Sequence, residues 1–398
     1  MKMKQLKLSM LCFTLLGTLT GCNNTNSNIK VTVLGDSIVE LPTVTSIDYE
    51  KGLKNDKQNY GKFGCSAIGK VLENGDMIVG RSLDLYYSNN PAYVIRTNVE
   101  GYYKTIGLAY NNFIGSNFST VKENGITQDE LLNLLFFSTD TMNEKGLYIE
   151  ANMRPEQPEN TGIVKSTGTK PGASLSMSLP ALVRYLIERC DSVTSAVEMA
   201  NTINVYGMIT DKFAWGGGYF MADSTGHYGV LELVDNKLIW NENYNCQTNY
   251  YLNDEYKDKA TIGTGLGRYD YLQEHIDSVK SEEDMKSLIK KVRYSQILDP
   301  YNCPFDPTSE SCGYGNDSYK DFGGQLTIQM IRSGEYKEKI LAMMEETGSQ
   351  TRKKTIQQLK DEGKEWLSAY QTVANCNKKT LSVTFFEDDT LSFDFKLD

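Results

Sequence analysis

The chain has 398 residues, and 40% of them are hydrophobic, so it can bury a substantial core. Its formal net charge of −10 argues against a nucleic-acid partner, because no run of Lys and Arg offsets it. Only two histidines occur, His227 and His275, and there is neither a CxxC motif nor a Cys/His cluster. A structural zinc site is therefore not expected, and no motif in the chain requires a cofactor.

Residues 1–22 have the pattern of a bacterial export signal. Three lysines precede a short apolar run at residues 8–20, which is too short to span a bilayer as a stable helix. The run ends in Leu-Thr-Gly-Cys, which resembles a lipobox and predicts lipidation of Cys22. The alternative is an ordinary secretory signal that contains a chance cysteine. Either interpretation predicts export, and lipidation predicts a membrane anchor on the extracytoplasmic side of the cell envelope.

Residues 23–64 are interpreted as a tether and pro-segment in front of one large domain, residues 65–398. Residues 23–28 are polar, whereas residues 30–45 have apolar spacing typical of one or two strands. Residues 51–62 are polar and Lys-rich, which predicts an exposed loop. Strands rarely persist unpaired, so we expect residues 30–45 to pack on the domain that follows.

From Cys65 onward the pattern predicts an α+β domain. An Asn74-Gly75 step between apolar runs is a strong hairpin signal. Helical spacing or capping predicts helices at residues 126–137, 180–187, 193–203, 282–292 and, with interruptions, 337–369. Strands are predicted at 65–71, 77–80, 92–96, 104–108, 146–153, 218–223, 228–234, 237–240, 381–386 and 391–395, and again just before residue 249.

The scarcity of histidine bears on the chemistry that Cys65 could perform. A thiol nucleophile normally takes its base from an imidazole, which this chain can hardly supply. The α-amino group of a chain that begins at Cys65 could serve instead, since its reference pKa of about 7.7–8.0 suits a general base. Such an amine exists only after cleavage of the Gly64–Cys65 bond, so the sequence points to a self-processed N-terminal nucleophile.

Four motifs resemble one family in order and spacing. They are Cys65-Ser-Ala-Ile followed by Gly-Arg81-Ser-Leu-Asp84; Met-Asn-Glu-Lys-Gly-Leu at residues 142–147 followed by Asn152; Gln-Thr-Asn249; and Gly-Leu-Gly-Arg268. Together they resemble the choloylglycine hydrolase family, which includes bile salt hydrolases and penicillin V acylases and belongs to the N-terminal nucleophile (Ntn) hydrolases. The resemblance implies a four-layer αββα sandwich, in which two antiparallel sheets lie between helical layers.

The resemblance also implies roles for six residues. Cys65 would be the nucleophile, and Arg81 would lower the pKa of its thiol, as a nearby cation does. Asp84 would accept hydrogen bonds from the Cys65 amine. The resemblance implies that Asn152 and Asn249 lie at the oxyanion and the substrate, and that Arg268 lies near the nucleophile. Read singly, Asp84 is better explained as a turn residue, and either asparagine is better explained as a loop residue.

Cysteines elsewhere in the chain have other predicted roles. Cys303 and Cys312 flank a loop with two prolines, which in an exported protein predicts a local disulfide. Cys190, Cys246 and Cys376 are expected to be small buried apolar groups.

The function expected from these observations is hydrolysis of a linear amide in a small-molecule N-acyl substrate with a bulky apolar acyl group, through a thioester. The alternatives are a fatty-acyl amide or ceramide-type amidase, and a non-catalytic binding lipoprotein on the same fold. The sequence leaves a homo-oligomer open.

Overall fold

The structure of the chain is a computed structural model. It describes residues 28–35, 38–54, 63–87, 92–110, 118–155, 173, 175–206, 208–209, 214–234, 237–249, 251–253, 266–292, 365–385 and 392–398. The strands are β1 (Thr32–Gly35), β2 (Ile38–Glu40), β3 (Phe63–Val71), β4 (Met77–Tyr87), β5 (Ala92–Thr97), β6 (Thr105–Tyr110), β7 (Asp140–Asn143), β8 (Tyr148–Pro155), β9 (Ser176–Ser178), β10 (Asn204–Tyr206), β11 (Met208–Ile209), β12 (Ala214–Ala222), β13 (Tyr228–Val234), β14 (Lys237–Glu242), β15 (Cys246–Gln247), β16 (Glu365–Asn375), β17 (Thr380–Phe385) and β18 (Ser392–Lys396). The α-helices are α1 (Tyr49–Lys54), α2 (Phe118–Asn124), α3 (Gln128–Phe136), α4 (Leu179–Ile187), α5 (Val193–Ala200), α6 (Leu266–His275) and α7 (Glu282–Lys291), and a 3₁₀ turn covers Ile276–Ser278.

Two large sheets dominate the described residues. The first has the order β1-β2-β5-β6-β7-β8-β12-β13-β14, with β11 paired to β12, and the second has the order β15-β3-β4-β16-β17-β18. Every pairing in the two sheets is antiparallel except that of β2 with β5. The short strands β9 and β10 pair separately and in parallel. The predicted α+β class is confirmed.

The sheets pack face to face, and helices cover both outer faces. Helices α3 and α4 pack on the first sheet, while α6 and α7 pack on the second. Strand β3 of the second sheet contacts β8 of the first, so the inner faces meet next to Cys65. On the far side, α7 approaches β4 so closely that a Cβ on Gly80 would lie 2.7 Å from the Met285 sulfur. The four-layer αββα arrangement is therefore the one that the structure has.

Local signals explain the main turns and caps. The hairpin between β3 and β4 turns at Gly75, whose φ of +88° is strained for residues that carry a Cβ. Helix α3 begins at a capping box in which Thr127 and Glu130 satisfy each other's backbone N–H groups. Ser192 forms a capping box with Ser195 at the start of α5, and the Ser281 side chain accepts from the Asp284 N–H at the start of α7. These caps fix the ends of helices that the sequence pattern predicts.

The segment upstream of Cys65 is part of the fold rather than a bare linker. Strands β1 and β2 form one edge of the first sheet, and β2 pairs with β5. Ile38 and Val39 are fully buried in the main core, and Leu41 and Val44 are nearly so. The prediction of strands within residues 30–45 is confirmed.

Two local predictions are wrong. Residues 51–54 belong to α1 rather than to an exposed loop, because Gly52 packs against the ring of Phe136 on α3. Residues 365–369 belong to β16 rather than to a helix, because β16 is a central strand whose backbone groups pair with β4 on one side and β17 on the other. Tertiary pairing overrides local helical propensity there. Residues 337–364 of the predicted helix lie outside the described residues.

Candidate active site

Strands β3 and β4 place Cys65 and Arg81 on one face of their sheet. In this antiparallel pair Cys65 lies opposite Leu83, and Arg81 lies opposite Ala67. Directly opposed residues share a face, so these four side chains point toward the first sheet. Gly64 lies opposite Asp84, and Asp84 therefore lies on the other face, toward α6. The alternation of the two strands divides the site between the two faces of the sheet.

The side chain of Arg81 is fully buried between the sheets and contacts the thiol. Its Nη2 lies 3.4 Å from Cys65 Sγ and donates to the carbonyl of Ala151 at 3.1 Å. Its Nη1 lies 2.6 Å from Asp140, and its Nε lies 2.9 Å from Glu150. Arginine keeps its charge even when buried, and two carboxylates offset its desolvation here. The predicted contact between Arg81 and the thiol of Cys65 is present.

Burial and the nearby Arg81 charge shift the pKa of the Cys65 thiol in opposite directions. Burial raises the pKa of the Cys65 thiol, and the Arg81 guanidinium lowers it. Glu150, Asp84 and Asp140 raise that pKa further, because each places negative charge near the sulfur. In the uncleaved chain Cys65 is completely buried and its thiol is neutral near pH 7. Activation therefore requires a change in access, in nearby charge or in both.

On the other face of the sheet, Arg268 of α6 links the backbone of Cys65 to Asp84 and Asn249. Its Nη1 donates to the Cys65 carbonyl at 2.8 Å and to Ser66 Oγ at 2.6 Å, and it lies 3.3 Å from Asp84. Its Nη2 donates to Asn249 Oδ1 at 2.9 Å. The Cys65 N–H donates to the same Oδ1 at 2.8 Å. The structure thus brings Cys65, Arg81, Asp84, Asn249 and Arg268 into one hydrogen-bonded cluster.

Two predicted roles differ in detail from the contacts found. Asn249, rather than Asp84, accepts the hydrogen bond from the Cys65 nitrogen in the uncleaved chain. Asp84 instead contacts Arg268 and accepts from Ser82 Oγ at 3.0 Å. The Asn249 carbonyl oxygen is turned toward the nitrogen that cleavage would release as the α-amine. The role of Asp84 at that amine stays a prediction.

Asn152 lies at the edge of this cluster. It follows Ala151, whose carbonyl lies 4.0 Å from Cys65 Sγ. Its Nδ2 donates to the Gln247 carbonyl at 3.4 Å, and its buried Oδ1 has no hydrogen-bond partner among the described residues. In this state Asn152 presents an acceptor rather than the donor that an oxyanion needs. Asn152 thus contacts Gln247 rather than Cys65, and its predicted role stays a prediction.

The structure adds three residues that the sequence interpretation missed: Asp140, Glu150 and Gln247. Asp140 and Glu150 face each other on β7 and β8 and both contact Arg81. Gln247 donates from Nε2 to Glu150 and accepts from Arg154 Nη2. A signal was available for Glu150, because period-two alternation places it on the same face of its strand as Asn152.

Other predicted residues lie apart from the cluster or outside the described residues. His227 lies near Trp240 and Glu242, and His275 stacks on Tyr271, so neither serves Cys65. Cys190, Cys246 and Cys376 are buried free thiols, as expected. Cys22, Cys303 and Cys312 lie outside the described residues, so lipidation and the disulfide stay predictions. In the described part of the chain, no group of His, Cys, Asp and Glu side chains is arranged to hold a metal ion, and no helix there is long and apolar enough to cross a membrane.

Comparisons with known proteins give similarities among solved structures. A mutant of conjugated bile acid hydrolase from Clostridium perfringens is 14% identical, with a TM-score of 0.42 over 84% of this chain and 92% of that one. Penicillin V acylase from Agrobacterium tumefaciens is 14% identical, with a TM-score of 0.40 over 84% of this chain and 86% of that one. No family model and no curated protein matches the sequence. Similarity at this level carries no assignment of function, which has to come from the geometry around Cys65.

Proposed function

We propose that this protein hydrolyses a linear amide bond in a small-molecule N-acyl substrate, with Cys65 as an N-terminal nucleophile. One observation carries the proposal. The Cys65 nitrogen donates to Asn249 while its sulfur lies 3.4 Å from the Arg81 guanidinium, so both reacting atoms of one residue have polar partners. That arrangement suits a residue that supplies the nucleophile and, once its amine is free, the base.

Maturation would begin within the chain itself. The Cys65 thiol attacks the Gly64 carbonyl carbon, its proton passes to the Cys65 nitrogen, and the peptide bond becomes a thioester. Water then hydrolyses the thioester, which leaves a carboxylate on Gly64 and a free amine on Cys65. Residues 63 and 64 are paired with Leu85 and Asp84 in the uncleaved chain, so their departure would open space beside the thiol.

Turnover would repeat this chemistry on a substrate. The free amine takes the proton of the Cys65 thiol, the sulfur attacks the amide carbonyl, and the amine delivers the proton to the leaving nitrogen. Water hydrolyses the resulting thioester and releases the acid. Arg81 would favour the thiolate, and Arg268 and Asn249 would hold the Cys65 backbone in place. We propose a bulky apolar acyl part, because small-molecule sites are in general lined mostly by apolar side chains.

A panel of N-acyl amides, read by mass spectrometry, tests this proposal. The panel should include conjugated bile salts, phenoxyacetyl penicillins, N-acyl homoserine lactones and fatty-acyl amides, with Cys65→Ala as the control. Release of a free acid by the wild type but not by the variant supports the proposal, and the best acyl group separates it from a fatty-acyl amidase. Binding without turnover across the panel would favour a non-catalytic binding protein.

We also propose that the segment upstream of the cut stays bound after processing and keeps the enzyme at the membrane through Cys22. The described residues of this segment make backbone bonds to the downstream domain in addition to the pairing of β2 with β5. Ile29 and Ile126 exchange two hydrogen bonds, and the N–H groups of Leu41 and Val44 donate to carbonyls of β5. The Tyr49 hydroxyl bonds to Glu188, and the Arg189 guanidinium lies 4.7 Å from the Tyr49 ring centre.

The apolar side chains of this segment support the same proposal. Ile38, Val39, Leu41 and Val44 lie in the main core, and burying each contributes roughly 1.5–3 kcal/mol before ordering costs. Fractionation of cells that carry the processed form is the test. We expect the chain that starts at Cys65 in the membrane fraction, together with the upstream fragment. The chain that starts at Cys65 in the soluble fraction, with the upstream fragment in the membrane fraction, would show that processing releases the enzyme.

A further inference from the structure

Two buried carboxylates face a single guanidinium beside the nucleophile. Asp140 and Glu150 lie directly opposite each other on β7 and β8, and both are fully buried. Directly opposed like charges on neighbouring strands are unfavourable, and Arg81 bridges these two through Nη1 and Nε. If both carboxylates are ionised, this group of three carries a net charge of −1. A thiolate on Cys65 would then be the third negative charge around one cation.

The partners of the two carboxylates are unequal. Asp140 accepts from the hydroxyls of Tyr148 and Tyr370 as well as from Arg81. The donors that contact Glu150 are Arg81 and Gln247. The other titratable or charged groups around Glu150 are Cys65 on β3, Tyr148 on its own strand, Cys246 on β15, and Arg154, which reaches it through Gln247. Glu150 therefore has fewer hydrogen-bond donors to stabilise its charge than Asp140 has.

We infer that Glu150 is a positioning residue of this site, which holds the Nε of Arg81 and, by taking or releasing a proton, sets how much of the Arg81 charge is available to a Cys65 thiolate. The inference rests on the proposed function, in which Cys65 is the nucleophile. When Glu150 is protonated, the charges of Arg81 and Asp140 cancel. The thiolate then lies beside a group of three side chains whose net charge is zero. Ionised Glu150 adds negative charge and disfavours the thiolate.

The electrostatics agree with this reading. Burial raises the pKa of Glu150 to about 7, although Arg81 and the hydrogen bond from Gln247 lower it. Glu150 would thus change its charge close to the pH at which the Cys65 amine loses its proton. The two titrations have opposite effects on activity. A higher pH deprotonates the Cys65 amine, which makes it a base, but it also ionises Glu150, which then competes with the Cys65 thiolate for the Arg81 charge.

The test is the pH dependence of Cys65 alkylation by iodoacetamide on processed protein. Glu150→Gln keeps the size and an acceptor for Arg81 and imitates the protonated state. One pKa unit changes the thiolate fraction about tenfold, so we expect this variant to react about tenfold faster than the wild type at pH 8 and equally fast at pH 5.5. Glu188→Gln is the matched control, because Glu188 is a buried carboxylate beside Arg184 rather than Arg81, and its profile should follow the wild type.

Superimposed profiles of Glu150→Gln and the wild type would overturn the inference, as would a variant that is slower at every pH. The wild type provides a second measurement if the variant does not fold. Its alkylation rate should rise less than tenfold per pH unit between about pH 6 and 7, where Glu150 ionises and the Cys65 amine is still mostly protonated, and a uniform tenfold rise per unit in that range would overturn the inference. Mass spectra of the alkylated protein measure both the labelling of Cys65 and the cleavage of the Gly64–Cys65 bond. An uncleaved wild-type chain would therefore count against the proposed function and not against the role of Glu150.

Discussion

Arg81 and Arg184 are both fully buried, and the regions around them differ in what their hydrogen bonds accomplish. Arg184 on α4 donates to the Leu135 carbonyl, Thr105 Oγ1, Ser138 Oγ and Glu188. These bonds tie α4 to α3 and β6 in the helix-on-sheet layer. Arg81 lies between the two sheets and has two carboxylates, a backbone carbonyl and a thiol as its partners.

The difference shows that burial of an arginine does not by itself identify a site. The partners of Arg184 are hydroxyls, a carbonyl and one carboxylate, which together satisfy the guanidinium in a purely structural role. The partners of Arg81 include a nucleophile and one carboxylate in excess of its charge, which is a costly arrangement for stability alone. Strained or unbalanced electrostatics in a buried cluster are typical of functional sites.

The sharpest way to break this comparison is to remove each arginine in turn. Arg81→Ala and Arg184→Ala should each lower the free energy of unfolding by about 3–5 kcal/mol, because each removes a fully buried guanidinium from the buried carboxylate that it pairs with. Only Arg81→Ala should also abolish hydrolysis and slow alkylation of Cys65, since it removes the cation beside the sulfur. Urea unfolding and iodoacetamide labelling measure the two effects separately. Equal slowing of alkylation in both variants would mean that general loosening, not the Arg81 charge, controls the thiol.

Asn249 should show the next largest effect. Asn249→Ala removes the side chain that accepts from the Cys65 nitrogen and from Arg268, and we expect kcat to fall about 10²–10³-fold with a smaller change in KM. Steady-state kinetics on processed protein give both constants. Asn204→Ala is a suitable control, because Asn204 lies outside the cluster and bonds to Ser176. An unchanged kcat in Asn249→Ala would remove Asn249 from the site.

The ionisation of Glu150 should change the stability of the protein with pH as well as the reactivity of Cys65. Because the pKa of Glu150 rises from its ordinary value of 4.5 to about 7 on folding, the folded state binds the additional proton between these values. Its contribution to stability is full below pH 4.5 and is lost as the pH rises through 7. The loss is on the order of 3 kcal/mol. Urea unfolding from pH 4.5 to 8 should show it in the wild type and not in Glu150→Gln, and parallel curves would contradict the shift.

The smallest predicted effect is a loss of stability at the N-terminus of α3, which packs on the first sheet away from Cys65. Thr127→Ala removes the capping box of α3 and should cost about 1 kcal/mol, whereas Thr127→Ser should cost much less because it keeps the hydroxyl. Neither variant should alter kcat. A change in kcat without a matching loss of stability would show that α3 is coupled to the site.

The site residues that the sequence predicted divide into those close together in sequence and those brought together only by the fold. Cys65, Arg81 and Asp84 lie on one hairpin, whose register follows from alternation and the turn at Gly75. Asn249 and Arg268 could be placed only through resemblance to a family, because long-range contacts bring them to Cys65. Glu150 escaped prediction because its partner Arg81 lies on the other sheet, and the pairing is visible only once the two sheets are packed together.

The fold was predictable to a similar extent. Alternating apolar residues and turn signals identified most strands. Apolar spacing and acidic residues in the first turn identified α3, and an N-cap identified α5. The pattern failed at residues 365–369, where pairing with both neighbours in the second sheet decides the conformation. It also missed most of α1, a helix of six residues that is held by contacts with α3 rather than by its own propensity.

The most direct test of the account is the mass of the purified chain under denaturing conditions. If Cys65 is a self-processed N-terminal nucleophile, the active wild type must contain a fragment that begins at Cys65, and Cys65→Ala must remain uncut at that bond. Cys190→Ala, which changes another buried free thiol, should be cut normally. Normal cleavage of Cys65→Ala between Gly64 and residue 65, or full activity in a chain whose Gly64–Cys65 bond is intact, would contradict the account.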